Sequence, residues 1–362
     1  KPRGDFYMKN KSIIIMTILS LVLVVGCCYH QQYMMNCNYD MPVSECPAMV
    51  TNSNVKDGDY MYYCVYESIY KVNVHTKKSS LVYKSDKLYW YYNLDVKDGW
   101  IYGTAKTVEG TDIESPYIFR VRTNGKDAEL LTKGINPIIY KGSIYYQKLD
   151  FPEDGEEYYC KSLGIHKMSL SGKNDVCIND SEYISQFTIY NSNIYYIDVD
   201  YTGNRDYYEE YYSLKSMDMN GDSQKTIFEG EKDSIINGLV AYSDDIYFNQ
   251  DDCIYKIKIG SSEKKLVLQY SSIMQISDGY MYYIDMLEDE GVFIMNLNDK
   301  TRTCLMEVAY GVEELQISNG YIIYSDGYES ADENERAPYN MAKYFCKLDG
   351  KDRVLLKGYV RT

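Results

Sequence analysis

Apolar residues recur in short runs, separated by turn residues, along residues 275–305, which read QISDGYMYYIDMLEDEGVFIMNLNDKTRTCL. The pair Asp278-Gly279 is a hairpin-turn signal, and an aromatic and β-branched run follows it. The pattern predicts four short strands joined by tight turns, at residues 275–277, 280–284, 292–297 and 302–305. One such meander cannot bury both of its faces, so neighbouring copies have to cover it.

The same unit recurs along the chain. Its turn and aromatic strand are found at residues 56–63, 97–102, 141–146, 191–196, 243–248, 278–283 and 319–324. Each copy is followed by a third-strand pattern of the kind seen in Ile254-Tyr255-Lys256-Ile257. A spacing of roughly 35 to 50 residues is typical of four-stranded propeller blades. We therefore predict an all-β fold, a β-propeller of four-stranded blades with seven blades, or with six if one unit lies outside the ring.

Composition and charge argue against one class of partner, the nucleic acids. The 362 residues carry a net charge of −15, and 43 of them are tyrosine. Phosphate recognition needs a basic face, so this balance argues against nucleic-acid binding. No break in composition divides residues 48–362, which we predict to form one domain and to be monomeric.

Residues 8–26 are typical of a targeting sequence. Residues 8–11 are basic, and the apolar run that ends at Val25 is too short for a convincing membrane span. We predict a cleaved signal peptide over residues 8–26, with an uncleaved signal anchor as the alternative. Residues 1–7 do not suit a signal peptide, and we interpret them as a translated leader before a start at Met8.

The signal peptide ends in Val24-Val25-Gly26-Cys27, which resembles the bacterial lipoprotein box. The box implies that Cys27 is lipidated, and that residues 27–47 form a polar tether. The protein would then be extracytoplasmic and bound to the cell membrane through this anchor alone. Cys37 and Cys46 in the tether either pair or remain thiols.

The repeated units resemble those of YWTD-type propellers. They are most similar to the bacterial lipoprotein family with a low-density lipoprotein receptor-related protein 1-like β-propeller, also called domain of unknown function 5050. The resemblance rests on the D-G-x-I-Y-Y strand and on strand-turn segments such as Cys346-Lys347-Leu348-Asp349-Gly350. A literal YWTD tetrad is missing, and Tyr-Tyr stands in its place. The resemblance implies the propeller fold and does not specify a function.

The links between second and third strands are long and acidic in several units. In a propeller these links share one face, so we predict a negative, tyrosine-bearing binding face for an unknown protein, peptide or glycan. Solvated loops that keep the protein soluble are the alternative. The candidate residues of this face are Glu109, Asp112, Asp154, Glu156, Asp289, Asp332 and Glu333.

One link has the spacing of a calcium loop. Residues 198–209 place oxygen-bearing side chains at positions 1, 3, 5, 9 and 12 with glycine at position 6, as in an EF-hand. The candidate Ca²⁺ ligands are Asp198, Asp200, Thr202, Asp206 and Glu209. Flanking strands, rather than helices, distinguish this segment from an EF-hand.

Catalytic motifs are scarce. The chain has three histidines, and no nucleophile elbow, zinc-binding helix or phosphate loop. His166 and Cys177 lie within strand patterns, where we interpret them as packing or surface residues. We therefore expect a non-catalytic binding propeller rather than an enzyme. A carbohydrate-active or other hydrolytic propeller is the first alternative, and an envelope scaffold is the second.

Replacing Cys27 by serine should move the protein from the membrane fraction to the soluble fraction, because an acyl chain rather than surface charge would hold it. Fractionation of expressing cells and immunoblotting measure this. Cys28→Ser is the matched control and should stay with the membranes. Membrane retention of Cys27→Ser would instead favour an uncleaved signal anchor.

Overall fold

The computed structural model describes residues 55–65, 67–85, 89–107, 116–150, 161–204, 207–286, 291–307, 315–318, 320–326, 342–348 and 352–356. Throughout these ranges the regular structure is β-strand, which confirms the all-β fold. Within the same ranges, no helix is long and apolar enough to cross a membrane. Cys27 and the rest of the predicted targeting segment lie outside the described residues.

Twenty-seven strands follow one another along the described residues. They are β1 (Lys56–Asp57), β2 (Tyr60–Val65), β3 (Ser68–Asn73), β4 (Ser79–Lys84), β5 (Tyr89–Lys97), β6 (Trp100–Thr107), β7 (Pro116–Arg122), β8 (Glu129–Tyr140), β9 (Ser143–Asp150), β10 (Lys161–Ser169), β11 (Val176–Asn179), β12 (Ile184–Tyr190), β13 (Asn193–Asn204), β14 (Tyr207–Asp218), β15 (Lys225–Lys232), β16 (Ile236–Tyr242), β17 (Asp245–Gln250), β18 (Cys253–Lys258), β19 (Lys264–Gln269), β20 (Ser271–Ser277), β21 (Tyr280–Asp285), β22 (Gly291–Asn296), β23 (Arg302–Glu307), β24 (Leu315–Ser318), β25 (Tyr321–Asp326), β26 (Ala342–Lys347) and β27 (Val354–Leu355).

The strands form seven consecutive antiparallel meanders, which we call units one to seven. Unit one is β1–β4, units four to seven are β12–β15, β16–β19, β20–β23 and β24–β27, and each is a separate four-stranded sheet. Units two and three share one seven-stranded sheet, β5–β11. The long strand β8 belongs to both, because residues 129–133 pair with β7 and residues 134–140 pair with β9. The predicted repeat is confirmed, and the fusion through β8 was not predicted.

The tight turns between first and second strands have the backbone expected from the sequence. Both central residues have positive φ in Asp98-Gly99, at 52° and 75°, and in Asp278-Gly279, at 51° and 84°. Such turns match the twist of the strands that they join. Unit four achieves the same geometry without glycine, at Asn191 and Ser192. These turns set the register of each aromatic second strand.

Consecutive tyrosines in the second strand face different neighbours, because side chains alternate across a strand. Tyr195 packs in an apolar cluster with unit five, and Tyr196 packs in another with unit three. In the same way Tyr282 faces unit seven and Tyr283 faces unit five. The Tyr-Tyr signature therefore marks a strand that is buried on both faces.

The units at the two ends of the repeat also pack together. One apolar cluster contains Met61 and Val72 of unit one together with Ile323 and Phe345 of unit seven. The ammonium group of Lys77 in unit one lies 4.7 Å from the ring centroid of Phe345. Both faces of unit one are thus covered, by unit two and by unit seven.

Buried polar side chains connect the first strands of successive units. The amide of Gln275 in unit six accepts from the backbone N–H of Ile317 in unit seven at 3.1 Å and donates to the carbonyl of the same residue at 3.2 Å. Asp95 accepts from Ile139 in unit three, and Gln186 accepts from Leu239 in unit five. These bonds satisfy backbone groups that would otherwise be buried without partners.

Replacing Gln275 by leucine should lower the free energy of unfolding by about 1–3 kcal/mol, because it leaves the N–H and C=O of Ile317 unpaired in a buried site. Urea denaturation measures the change. Gln269→Leu, at an exposed position of β19, is the matched control and should have little effect. Equal effects of the two substitutions would contradict this role for Gln275.

Candidate functional site

The repeat makes departures from its own pattern visible. In four units the third strand carries an aromatic ring that stacks on the ring opposite it in the second strand. These pairs are Tyr63–Tyr70, Phe248–Tyr255, Tyr283–Phe293 and Tyr324–Tyr344, with ring centroids 5.6, 6.1, 5.9 and 5.4 Å apart. In unit three the residue opposite Tyr146 is His166. Its ring is tilted by 49° to that of Tyr146, with the centroids 5.9 Å apart.

The fourth strand of unit three and the residue just before it differ from several other units at two further positions. Opposite the third-strand aromatic residue, units one, two, five and seven have exposed leucines: Leu81, Leu130, Leu266 and Leu355. Unit three has Cys177 there, opposite His166. Two residues earlier, units five, six and seven carry cations that lie over the stacked rings: Lys264, Arg302 and Arg353. At that position unit three has Asp175, so the sign of the charge is reversed.

Asp175 is the centre of a hydrogen-bonded cluster. Its carboxylate lies 3.0 Å from Nδ1 of His166 and accepts a hydrogen bond from the Tyr146 hydroxyl at 2.8 Å. Lys148 forms an ion pair with the other carboxylate oxygen. Burial would raise the pKa of Asp175, but the bonds from Lys148, Tyr146 and His166 outweigh it and hold that pKa below its usual value. The carboxylate therefore stays ionised at neutral pH.

The backbone brings β10 and β11 close together at this cluster. Gly164 has φ +89°, and a Cβ added there would lie 1.8 Å from the carbonyl oxygen of Asn179 in β11. Only glycine allows this approach. The two strands then pair from Ile165 onwards, with a bulge that aligns His166 with Cys177.

The cluster provides an oriented proton acceptor. Because Asp175 holds Nδ1, that nitrogen carries the imidazole proton, and Nε2 is left as the basic atom. His166 is 8% exposed, while Cys177 is exposed. The thiol group itself is partly buried, and this burial, followed by the charge of Asp180, raises its pKa. The pair is therefore an oriented imidazole across the strands from a protonated thiol.

The segment with calcium-loop spacing is an extended hairpin of β13 and β14. Asp200 pairs with Tyr211 and Thr202 pairs with Glu209, so Asp198, Asp200 and Thr202 lie along one strand at about 3.3 Å per residue. An EF-hand loop instead curls its ligands around the ion. The extended backbone of this segment therefore differs from the curled EF-hand loop that its spacing predicted.

Two of the proposed ligands already have cationic partners. Asp198 pairs with Lys215, and Glu209 lies 2.6 Å from Lys232. Asp206 lies outside the described residues. Among the residues that are described, no group of three or more His, Cys, Asp and Glu side chains is arranged to hold a metal ion. Calcium binding by this segment stays a prediction.

The candidate residues of the acidic binding face all lie outside the described residues: Glu109, Asp112, Asp154, Glu156, Asp289, Asp332 and Glu333. The cluster around Asp175 was not predicted from the sequence. His166 and Cys177 were expected in strands, as packing or surface residues. The available signal was the exchange of an aromatic residue for histidine at one repeat position.

Structural comparison relates the chain to peptidases. A puromycin-hydrolysing peptidase of Mycobacterium tuberculosis matches with a TM-score of 0.61 and 8% identity, covering 87% of this chain and 55% of that one. An acylaminoacyl peptidase of Pyrococcus horikoshii matches at 0.54 and 10%, covering 72% and 45%. A prolyl endopeptidase matches at 0.53 and 11%, covering 83% and 48%. No protein-family model and no curated protein matches the sequence.

These matches have one consequence for the fold and another for the predicted function. At identities of 8–11% they establish similarity of fold, to peptidases that contain a β-propeller. The chain spans about half the length of the peptidases that it matches. The expectation of a non-catalytic binding protein is contradicted, because these structural relatives are hydrolases, and so is the expectation that the chain is not an enzyme.

Replacing Asp175 by asparagine should lower the free energy of unfolding at pH 7 and have less effect near pH 3. The pKa of Asp175 lies below its ordinary value of 3.8, so its ionised form stabilises the fold above that pH. The contribution is lost as the pH falls through the folded-state pKa. Urea midpoints at both pH values measure this. Asp222→Asn, on an exposed turn of unit four, is the control for loss of a charge. An Asp175→Asn effect that is the same at both pH values would contradict the assignment.

Proposed function

We propose that this chain is a seven-bladed β-propeller that serves the hydrolysis of peptides and related acyl amides. The observation that carries the proposal is the match over 87% of the chain, at a TM-score of 0.61, to a puromycin-hydrolysing peptidase. The matches to an acylaminoacyl peptidase and to a prolyl endopeptidase support the same reaction class. All three names describe cleavage of a bond to an acyl carbon.

Packing of the first and last units supports a closed ring. Phe345 of unit seven shares an apolar cluster with Met61 of unit one, and Lys77 lies over its ring. Apolar clusters also lie between every pair of successive units. A six-bladed ring would leave one unit outside, and that unit would then lack a neighbour on one side. Seven blades therefore account best for the packing.

The cluster in unit three supports hydrolytic chemistry. Cleavage of an amide requires a group that takes a proton from the nucleophile and gives one to the leaving amine. His166 can do both through Nε2, while Asp175 fixes the orientation of its ring. Lys148 and Tyr146 hold Asp175 in place.

The sequence supports a location for this activity. The lipoprotein box ending in Cys27 would anchor the propeller outside the cytoplasm. The resemblance to bacterial lipoproteins with a low-density lipoprotein receptor-related protein 1-like propeller supports the same location outside the cytoplasm. Peptides in the cell envelope would then be the accessible substrates.

The purified full chain should release p-nitroaniline from at least one of three substrate classes: aminoacyl, N-acylaminoacyl and prolyl-peptidyl p-nitroanilides. Absorbance measures the release, with circular dichroism to show that the protein is folded. A His166→Phe variant expressed and purified in parallel controls for contaminating peptidases, because Phe is the residue of unit six at this position. Folded chain that cleaves none of the three classes would overturn the proposed function.

A further inference from the structure

We infer that Cys177, His166 and Asp175 of unit three form a nucleophilic site that accepts acyl groups, with Cys177 as the attacking thiol. The acyl substrate rests on the proposed function, whereas the reactivity of the thiol can be measured without it. The site would lie on the paired strands β10 and β11 and on Asp175, the residue just before β11.

Cross-strand pairing places the three side chains together. Cys177 lies directly opposite His166, and residues opposite each other in an antiparallel pair have Cβ atoms about 5 Å apart. Asp175 lies just before β11, two residues ahead of Cys177, and its carboxylate is 3.0 Å from Nδ1 of His166. The charges of Asp175 and Lys148 act on the pKa of the Cys177 thiol in opposite directions, since Asp175 raises it and Lys148 lowers it.

The equivalent positions of unit six lack the histidine and the aspartate. There Phe293 lies opposite Cys304, and Arg302 donates to the hydroxyl of Tyr283 at 2.6 Å. Unit three keeps the tyrosine and the cysteine but replaces the aromatic ring by His166 and the cation by Asp175. Both exchanges are needed to give a thiol a base and to orient that base.

The protonated state of the thiol determines how the site would work. Burial and Asp180 raise its pKa, so at neutral pH it does not attack as a preformed thiolate. A base has to remove the proton during attack, and His166, directly across the strand pair from Cys177, would supply Nε2 for this step. A thiolate formed from a thiol of higher pKa is also the stronger nucleophile.

The reaction balances with water as the only co-reactant. The Cys177 proton passes to Nε2 as sulfur bonds to the acyl carbon. The bond from that carbon to nitrogen then breaks, and the leaving amine takes the proton from His166. Water next attacks the thioester, losing a proton to His166, and the carboxylic acid leaves as the thiol regains its proton. Asp175 stabilises the imidazolium that forms twice in this cycle.

The test compares Cys177 with Cys304 in the same protein. The reduced full chain is treated with iodoacetamide at pH 7, and peptide mass spectrometry follows alkylation of each cysteine. Both are exposed and hold equivalent places in the repeat, so they form a matched pair. Because His166 would remove the proton as the sulfur attacks, Cys177 should react roughly tenfold or more faster in spite of its raised pKa. His166→Phe should bring the rate at Cys177 down to that at Cys304 without changing the latter.

Equal rates for the two cysteines, or a rate at Cys177 that His166→Phe leaves unchanged, would overturn the inference. Asp175→Asn offers a second variant that keeps the imidazole, and it should slow Cys177 less than His166→Phe does. If either variant unfolds, the comparison of Cys177 with Cys304 in the unaltered chain still tests the inference.

Hydrolysis assays separate this inference from the proposed function. If the chain cleaves acyl p-nitroanilides, Cys177→Ala should abolish cleavage, and Cys304→Ala should not. Cleavage that survives Cys177→Ala would overturn the inference and leave the proposed function standing. A chain that cleaves nothing, but whose Cys177 reacts rapidly through His166, would overturn the proposed function and support the nucleophilic site.

Discussion

Burial of the second strand on both faces is the constraint on which the rest of the structure depends. Tyr195 and Tyr196 are adjacent in the chain, yet one packs toward unit five and the other toward unit three. A single unit cannot provide both environments, so the units are stable only as neighbours. The tyrosine hydroxyls are buried as well, and burial raises the pKa of Tyr62 and Tyr63 to about 12. These residues stay neutral at physiological pH.

Apolar packing alone would let the first strand of one unit slide along its neighbour. Hydrogen bonds between successive units oppose this movement. The side chain of Gln275 bonds to both backbone groups of Ile317, and Asn249 accepts from Ile273 in the next unit. Each bond joins a side chain to the backbone of the following unit. A buried polar group of this kind specifies register, because a shifted strand would leave it unpaired.

Much of the fold could be predicted from the sequence, because turn chemistry and aromatic strands repeat locally. The predicted strand at residues 280–284 corresponds to β21 (Tyr280–Asp285), and the turn at Asp278-Gly279 has the expected positive φ values. The shared strand β8 could not be predicted, since units normally end in a turn and no local signal shows that the chain continues through Gly134.

The candidate site was harder to predict from the sequence than the fold. His166 and Asp175 are nine residues apart and meet only because β10 and β11 pair with a bulge. Their chemistry becomes visible once each is compared with its repeat equivalents, Phe293 and Arg302 in unit six. A repeat thus provides an internal reference against which a functional departure can be recognised.

Ring closure is the central claim, and hydrogen exchange of a Phe345→Ala variant tests it most directly. Phe345 packs against unit one, which lies at the opposite end of the sequence. In a closed ring, loss of this side chain should speed amide exchange in β2 of unit one as well as in β26 of unit seven. Faster exchange in unit seven, with unit one unchanged, would show that the two ends do not support each other and would contradict the account.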